Sequence, residues 1–145
     1  MMKTLGSTLM CLSFLMAGIG CRAQSTLVVN ILNLKNINGD ILIGLYDSSS
    51  NFPRKVATGK VVKVMEKEMQ VTFPDIKPGN YAVSVLHDEN QNKGMDQGKL
   101  GIPKEGYGFS NNVMGVMGPP SFKKARFHVP GGDSAITIKM KYLKN

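Results

Sequence analysis

The sequence predicts an all-β domain, a Greek-key β-sandwich of seven to eight short strands with one long glycine-rich loop. Three observations point there. Near the C-terminus Ile136, Ile138, Met140 and Tyr142 alternate with Thr137, Lys139 and Lys141, the period of two that buries one face of a strand and wets the other. Turn-forming pairs, Asn38-Gly39, Pro78-Gly79 and Gly131-Gly132, punctuate the chain. No segment carries a convincing helical period, and short strands with turns at this spacing fit a two-sheet sandwich better than an α/β fold.

The first element is expected to be an export signal. Lys3 precedes an apolar run from Leu5 to Ile19 that is too short to cross a bilayer as a stable helix. Small residues at Cys21 and Ala23 place cleavage before Gln24. The domains are then 1–23, signal peptide, and 24–145, a single sandwich with no transmembrane segment, in the periplasm or outside the cell. A rival reading makes Cys21 a lipidated N-terminus, but Gly18-Ile19-Gly20 lacks a leucine three positions upstream. Both cysteines, Cys11 and Cys21, lie in or beside this segment, so the mature domain has no thiol for disulfides, metal or nucleophilic catalysis. About 120 residues suffice for one unstapled core.

Leu27, Val29 and Ile31 open the first strand, and Ile41 to Tyr46, apolar on both faces, suits a central strand. Asn38-Gly39 between them favours a type I′ turn and predicts that the two pair as a hairpin. Val61 to Met65 and Met69 to Phe73 follow, separated by the charged turn Glu66-Lys67-Glu68. Beyond Pro78-Gly79, Tyr81, Val83 and Val85 face one way and Ala82, Ser84 and Leu86 the other. Ala125, Phe127 and Val129 form the next strand, and Gly131-Gly132 is expected to close a final hairpin onto the C-terminal one.

Residues 87–121 break this rhythm. Seven of the sixteen glycines and three of the seven prolines fall there, and so long a loop is usually functional or disordered. Tyr107, Phe109, Met114, Val116, Met117 and Phe122 argue against disorder, since such anchors pin a loop to a core.

The stretch His87-Asp88-Glu89-Asn90-Gln91-Asn92-Lys93-Gly94-Met95-Asp96, then Leu100-Gly101-Ile102-Pro103, Glu105 to Asn112 and Gly118-Pro119-Pro120-Ser121-Phe122, closely resembles the signature of the domain-of-unknown-function 2141 family of bacterial secreted proteins. Phe73 to Val85 is also similar to the turn and strand of transthyretin-like sandwiches. The resemblance implies a prealbumin-like sandwich. It implies no activity.

Within the signature Asp88, Asn90, Asn92, Gly94 and Asp96 occupy positions 1, 3, 5, 7 and 9 of an EF-hand-like loop, a spacing that can wrap oxygens around calcium. Position 6 is Lys93 and position 12 is Lys99, so Glu105 would have to return to supply the missing carboxylate. The competing reading is a turn network bonded to its own backbone. His87 is a candidate ligand or acid/base beside Asp88 and Glu105, or a tie between strand end and loop. Tyr107, Phe109, Ser110, Asn111 and Asn112 are candidate ligand-binding residues. Tyr107 and Phe109, with Met114 and Met117, would either stack on a glycan or peptide partner or plug the open end of the sandwich. A nucleophile elbow at Ser110 lacks its second glycine, which is Asn112. His128 is expected to lie outside, without a role.

Removing the signal leaves 16 basic against 10 acidic residues. Lysines on nearly every strand and turn read as a solubilising surface, which argues against nucleic acid as a partner; their alternative is attraction to anionic glycan or membrane. The reading favoured by the sequence is an exported noncatalytic module whose working surface is the loop, with a weak calcium site as its one candidate cofactor. A secreted hydrolase-like enzyme using His87 with loop carboxylates is the alternative.

Overall fold

Burial alternates residue by residue along Ser25–Leu32 (β1), with Leu27, Val29 and Ile31 fully enclosed, as a strand with one dry face requires. The computed structural model describes residues 25–143; the expected signal segment and Cys21 lie outside them. Seven further strands follow: Asp40–Tyr46 (β2), Thr58–Lys63 (β3), Met69–Ile76 (β4), Gly79–Asp88 (β5), Gly106–Phe109 (β6), Phe127–Val129 (β7) and Ser134–Lys139 (β8). They form two sheets, so the all-β sandwich-like architecture holds.

One sheet has three strands in the order β4-β1-β8, with β1 antiparallel to β4 and parallel to β8. In the other, β3, β2, β5 and β6 are neighbours in that order and β7 also pairs with β5. The core between them joins Leu27, Val29 and Ile31 of β1, Val71 and Phe73 of β4 and Ile138 of β8 to Ile41, Ile43 and Leu45 of β2 and Val83 and Val85 of β5. As expected, β2 is central, between β3 and β5.

Both predicted hairpins are corrected. Strand β1 does not pair with β2, because the 33–39 connection crosses between sheets with Leu34 buried at the sandwich end. Of Asn38 and Gly39, only the glycine has positive φ, at 70°, so the type I′ turn does not form. Gly39 is needed for another reason: a Cβ there would collide with the Asp88 carbonyl oxygen. The 64–68 segment crosses back beside it, and the two crossings bond each other through Leu34 N–H to the Lys67 carbonyl and Val64 N–H to the Gly39 carbonyl. At the other end, β7 pairs with β5 and β8 with β1, so Gly131-Gly132 joins strands of different sheets. The strand expected from Ala125 starts at Phe127, after a single helical turn, Phe122–Ala125 (α1).

The glycine-rich stretch contains β6, which sequence periodicity does not reveal. A Cβ at Gly106 would strike the Tyr142 ring, and one at Gly108 would lie 2.6 Å from Ile138 Cγ2. These glycines let β6 pack flat on the chain around β8, and Tyr107 exchanges backbone hydrogen bonds with Lys141. A second apolar cluster forms outside the main core. The Phe52 ring lies 5.0 Å from Tyr46, 5.9 Å from Phe109 and 6.0 Å from Phe122, all edge-on, the favoured aromatic geometry.

Candidate functional site

Strand β5 ends at Asp88, whose carboxylate is buried and turned back into its own loop. Its Oδ1 accepts the Asn92 N–H at 3.1 Å and its Oδ2 the Lys93 N–H at 2.8 Å. Asp88 is thus enclosed beneath its own loop, outside the apolar core between the sheets. Gln91 and Lys93 carry φ near +60°, so the loop tightens through left-handed residues that the buried carboxylate holds in place. Asn90 Oδ1 accepts the Asn92 N–H and Asn92 Oδ1 the Gly94 N–H, a pair of side-chain-to-backbone turns.

Glu105 does return to this loop. It is 5% exposed, its Oε1 accepts the Glu89 N–H at 3.0 Å, and its Oε2 accepts the Asp96 N–H at 3.1 Å. Asp96 in turn accepts side-chain N–H groups from Asn90 and Asn92 at 2.6 and 2.7 Å. The nominated oxygens thus share one loop, and each carboxylate oxygen is already occupied by a donor. Among the described residues no three His, Cys, Asp or Glu side chains converge as metal ligands. What this arrangement does chemically is fix the 88–105 backbone.

The next word, Ser110-Asn111-Asn112, ties three separate parts of the fold. Strands β6 and β7 pair with β5 at Ser84–His87 and Gly79–Tyr81, and between these stretches the buried Ser110 hydroxyl accepts the Val83 N–H at 2.9 Å and donates to the Ala125 carbonyl at 2.6 Å. Asn111, at φ 60°, donates through Nδ2 to the carbonyls of Lys124 and Arg126. Asn112, at φ 53°, donates to the Thr137 carbonyl and accepts the Lys139 N–H. Its amide meets β8 as a strand's peptide group would, satisfying backbone that otherwise needs a partner.

His87 is fully buried on the inner face of β5, between two partners that the sequence did not suggest. Its Nε2 lies 2.7 Å from the Asn38 carbonyl oxygen and its Nδ1 2.7 Å from the Tyr142 hydroxyl. A carbonyl can only accept, so Nε2 carries a proton, and in the neutral ring Nδ1 then accepts and Tyr142 donates. Tyr142 also accepts the Lys35 N–H at 3.1 Å. Burial pushes its phenol above the ordinary value, the Lys35 bond opposes this, and the Glu89 charge adds to it. His87 therefore links β5 to the 33–39 crossing and the C-terminal segment, not to the loop that follows it. His128 is exposed, as expected, with Nδ1 3.3 Å from Asn80 Oδ1.

The aromatic candidates divide. Phe109 is buried in the outer cluster and Tyr107 is half-buried beside it, their rings 6.1 Å apart. Met117 does not plug the sandwich: it is 99% exposed and its neighbour Val116 95%. Leu100, also at the surface, is 98% exposed with φ 63°, at the tip of a small loop closed by Gly98 N–H to the Ile102 carbonyl. A surface groove of about 640 Å³ lies elsewhere, between Asn30, Gln70 and Thr137 and the Glu66–Glu68 turn. None of the nominated residues lines it.

Among the described residues no helix is long and apolar enough to cross a membrane. No curated protein and no solved structure matches the chain. A family model covering residues 29–137 does match it. The chain thus belongs to DUF2141, the family described as uncharacterised proteins conserved in bacteria.

Proposed function

We propose that this chain is an exported, noncatalytic β-sandwich module in which the polar signature from His87 to Asn112 braces the fold, so that the connected loops can present a fixed surface to a partner. One observation carries this reading: the polar atoms that a catalyst would need free are spent on partners inside the chain. Ser110 Oγ, both Glu105 oxygens and both Asp88 oxygens bond backbone groups, and the His87 ring is enclosed between Asn38 and Tyr142. An enzyme instead needs a base and a nucleophile converging on open space. The hydrolase-like alternative has no such support.

Paired variants test the proposal. Ser110→Ala leaves the Val83 N–H without its acceptor, and Glu105→Gln sets an amide N–H against a backbone N–H. Each is expected to lower stability by about 1–3 kcal/mol, the cost of an unsatisfied buried polar group, measured by urea unfolding. A fluorophosphonate probe should leave folded wild-type protein unlabelled. Labelling at Ser110, or variants as stable as wild type, would overturn the reading.

A further inference from the structure

Residues 112–123 form a closed loop whose two ends are pinned together. Ser110 Oγ donates to the Ala125 carbonyl, and Asn111 Nδ2 donates to the carbonyls of Lys124 and Arg126 at 3.1 and 2.9 Å. Loops of this length with joined ends are compact and frequently functional. The far end is a tight turn: a Cβ at Gly115 would overlap the Gly118 carbonyl oxygen, and Gly118 has φ 130°. At that turn stand Val116 and Met117, almost wholly in solvent, while Phe122 at the base packs on Phe52. The loop thus anchors Phe122 at its base and displays Val116 and Met117 at its turn, with Met114 38% exposed before them. Adjacent large apolar side chains displayed together at a turn point to a contact surface.

The neck of the same loop is basic. Lys123, Lys124 and Arg126 are all exposed, and no acidic residue occurs from Gly106 to Gly132. The preceding acid, Glu105, is buried and bonded. Charge is segregated along the whole chain: residues 24–96 carry eight basic and eight acidic groups, residues 97–145 eight basic and two acidic. The lysines are scattered, as the sequence suggested, but the excess is not.

We propose that the 112–123 loop docks on an anionic phospholipid surface, with Val116 and Met117 entering the boundary between headgroups and acyl chains while Lys123, Lys124 and Arg126 meet the phosphates. This deepens the module reading and rests on it. Apolar groups gain by leaving water at that depth, and nearby basic side chains add attraction to anionic lipid. An anionic glycan would use the neck but leave the tip in water. A second copy of the chain would bring two basic necks together.

The chain contains no tryptophan, so Met117→Trp places a single reporter at the tip and Val61→Trp places one on the exposed face of β3. With full-length protein and vesicles of phosphatidylcholine containing phosphatidylglycerol, the indole emission of Met117→Trp is expected to shift to the blue and to be quenched by bromine-labelled acyl chains. Emission from Val61→Trp should not move. The reporter reads the tip itself, so attachment through the apolar 5–19 segment, shared by every variant, cannot mimic the result. Replacing Lys123, Lys124 and Arg126 by Gln together should weaken partitioning on the order of a hundredfold, about fivefold for each basic group. Unmoved emission from Met117→Trp on these vesicles overturns the proposal, as does an equal response to pure phosphatidylcholine. A shift induced by heparin without lipid, or by protein concentration alone, assigns the surface to a glycan or to a second copy and also overturns it. Any of these failures leaves the stability losses of Ser110→Ala and Glu105→Gln standing, so the module reading is judged separately.

Discussion

The Tyr142 hydroxyl donates to Nδ1 of the neutral His87 ring across 2.7 Å, a direction set by the Asn38 carbonyl on the opposite nitrogen. The same oxygen accepts the Lys35 N–H, so one phenol satisfies two groups from distant parts of the chain. Tyr142→Phe removes both bonds and keeps the ring packed on His87, whose centroid lies 6.0 Å away. The expected loss is about 1–3 kcal/mol of unfolding free energy, read from urea denaturation. Tyr107→Phe, which alters a half-exposed ring, should cost well under half of that. Equal losses would deny Tyr142 its bridging part.

Gly108 tests the close approach of β6 to the core. Its substitution by Ala puts a methyl 2.6 Å from Ile138 Cγ2, and overpacking of this kind costs about 1–3 kcal/mol. The double variant Gly108→Ala, Ile138→Leu deletes the Cγ2 branch that the new methyl meets and should recover part of the loss if the clash is its cause. Chemical denaturation of the two variants decides the matter. Failure of the double variant to recover stability would place the strain elsewhere.

That close approach also explains what the sequence could and could not disclose. The period of two over Ile136 to Tyr142 survives because its inward positions carry large side chains. In β6 the inward positions are Gly106 and Gly108, required by the Tyr142 ring and Ile138, so the alternation that would reveal a strand is erased. Turn pairs give a reversal of the chain but not the partner: Asn38-Gly39 and Gly131-Gly132 both sit where the chain changes sheet. Alternate oxygens at Asp88, Asn90 and Asn92 were legible as a turn or an ion loop. Their partners are largely backbone N–H groups, which every residue type supplies, so composition could not choose between the two. The burial of Asp88 was likewise hidden, because nothing nearby in sequence announces that the 89–93 segment folds over it.

Alkaline stability should follow the tyrosines. Burial raises the phenols of Tyr46, Tyr81, Tyr107 and Tyr142 above their ordinary 10.0, and in each case desolvation of the charged form is the leading cause. The folded state therefore retains protons that the unfolded chain releases. Their contribution is fully present below pH 10.0 and is lost as pH rises through the raised folded values, so stability falls with pH in that window. Urea midpoints measured across it should decline, and Tyr142→Phe should make the decline shallower. Midpoints that stay level while tyrosinate absorbance grows in the unfolded chain would refute the linkage.

Calcium is the remaining test of the 88–105 loop. Flexible loops of few charges bind calcium at about 10⁻⁴ to 10⁻³ M in extracellular modules, and binding confined to the folded state adds about 2.7 kcal/mol at one hundred times the dissociation constant. Here the loop's carboxylate oxygens differ in how open they are. The Asp88 oxygens hold the Asn92 and Lys93 N–H groups, the Glu105 oxygens hold those of Glu89 and Asp96, and only the Asp96 oxygens are engaged by the exposed side chains Asn90 and Asn92. Each oxygen keeps a second lone pair, but Asp88 and Glu105 are buried, so Asp96 is the one carboxylate of the three open to an ion that asks for six to eight oxygens. The melting temperature is therefore expected to stay fixed from chelator to about 10 mM calcium, well above that affinity range. Asp96 is the position to vary, since Asp88→Ala would unsettle the buried turn whether or not an ion binds. A rise in melting temperature with calcium that disappears in Asp96→Asn would reinstate Asp88, Asn90, Asn92, Gly94, Asp96 and Glu105 as an ion site.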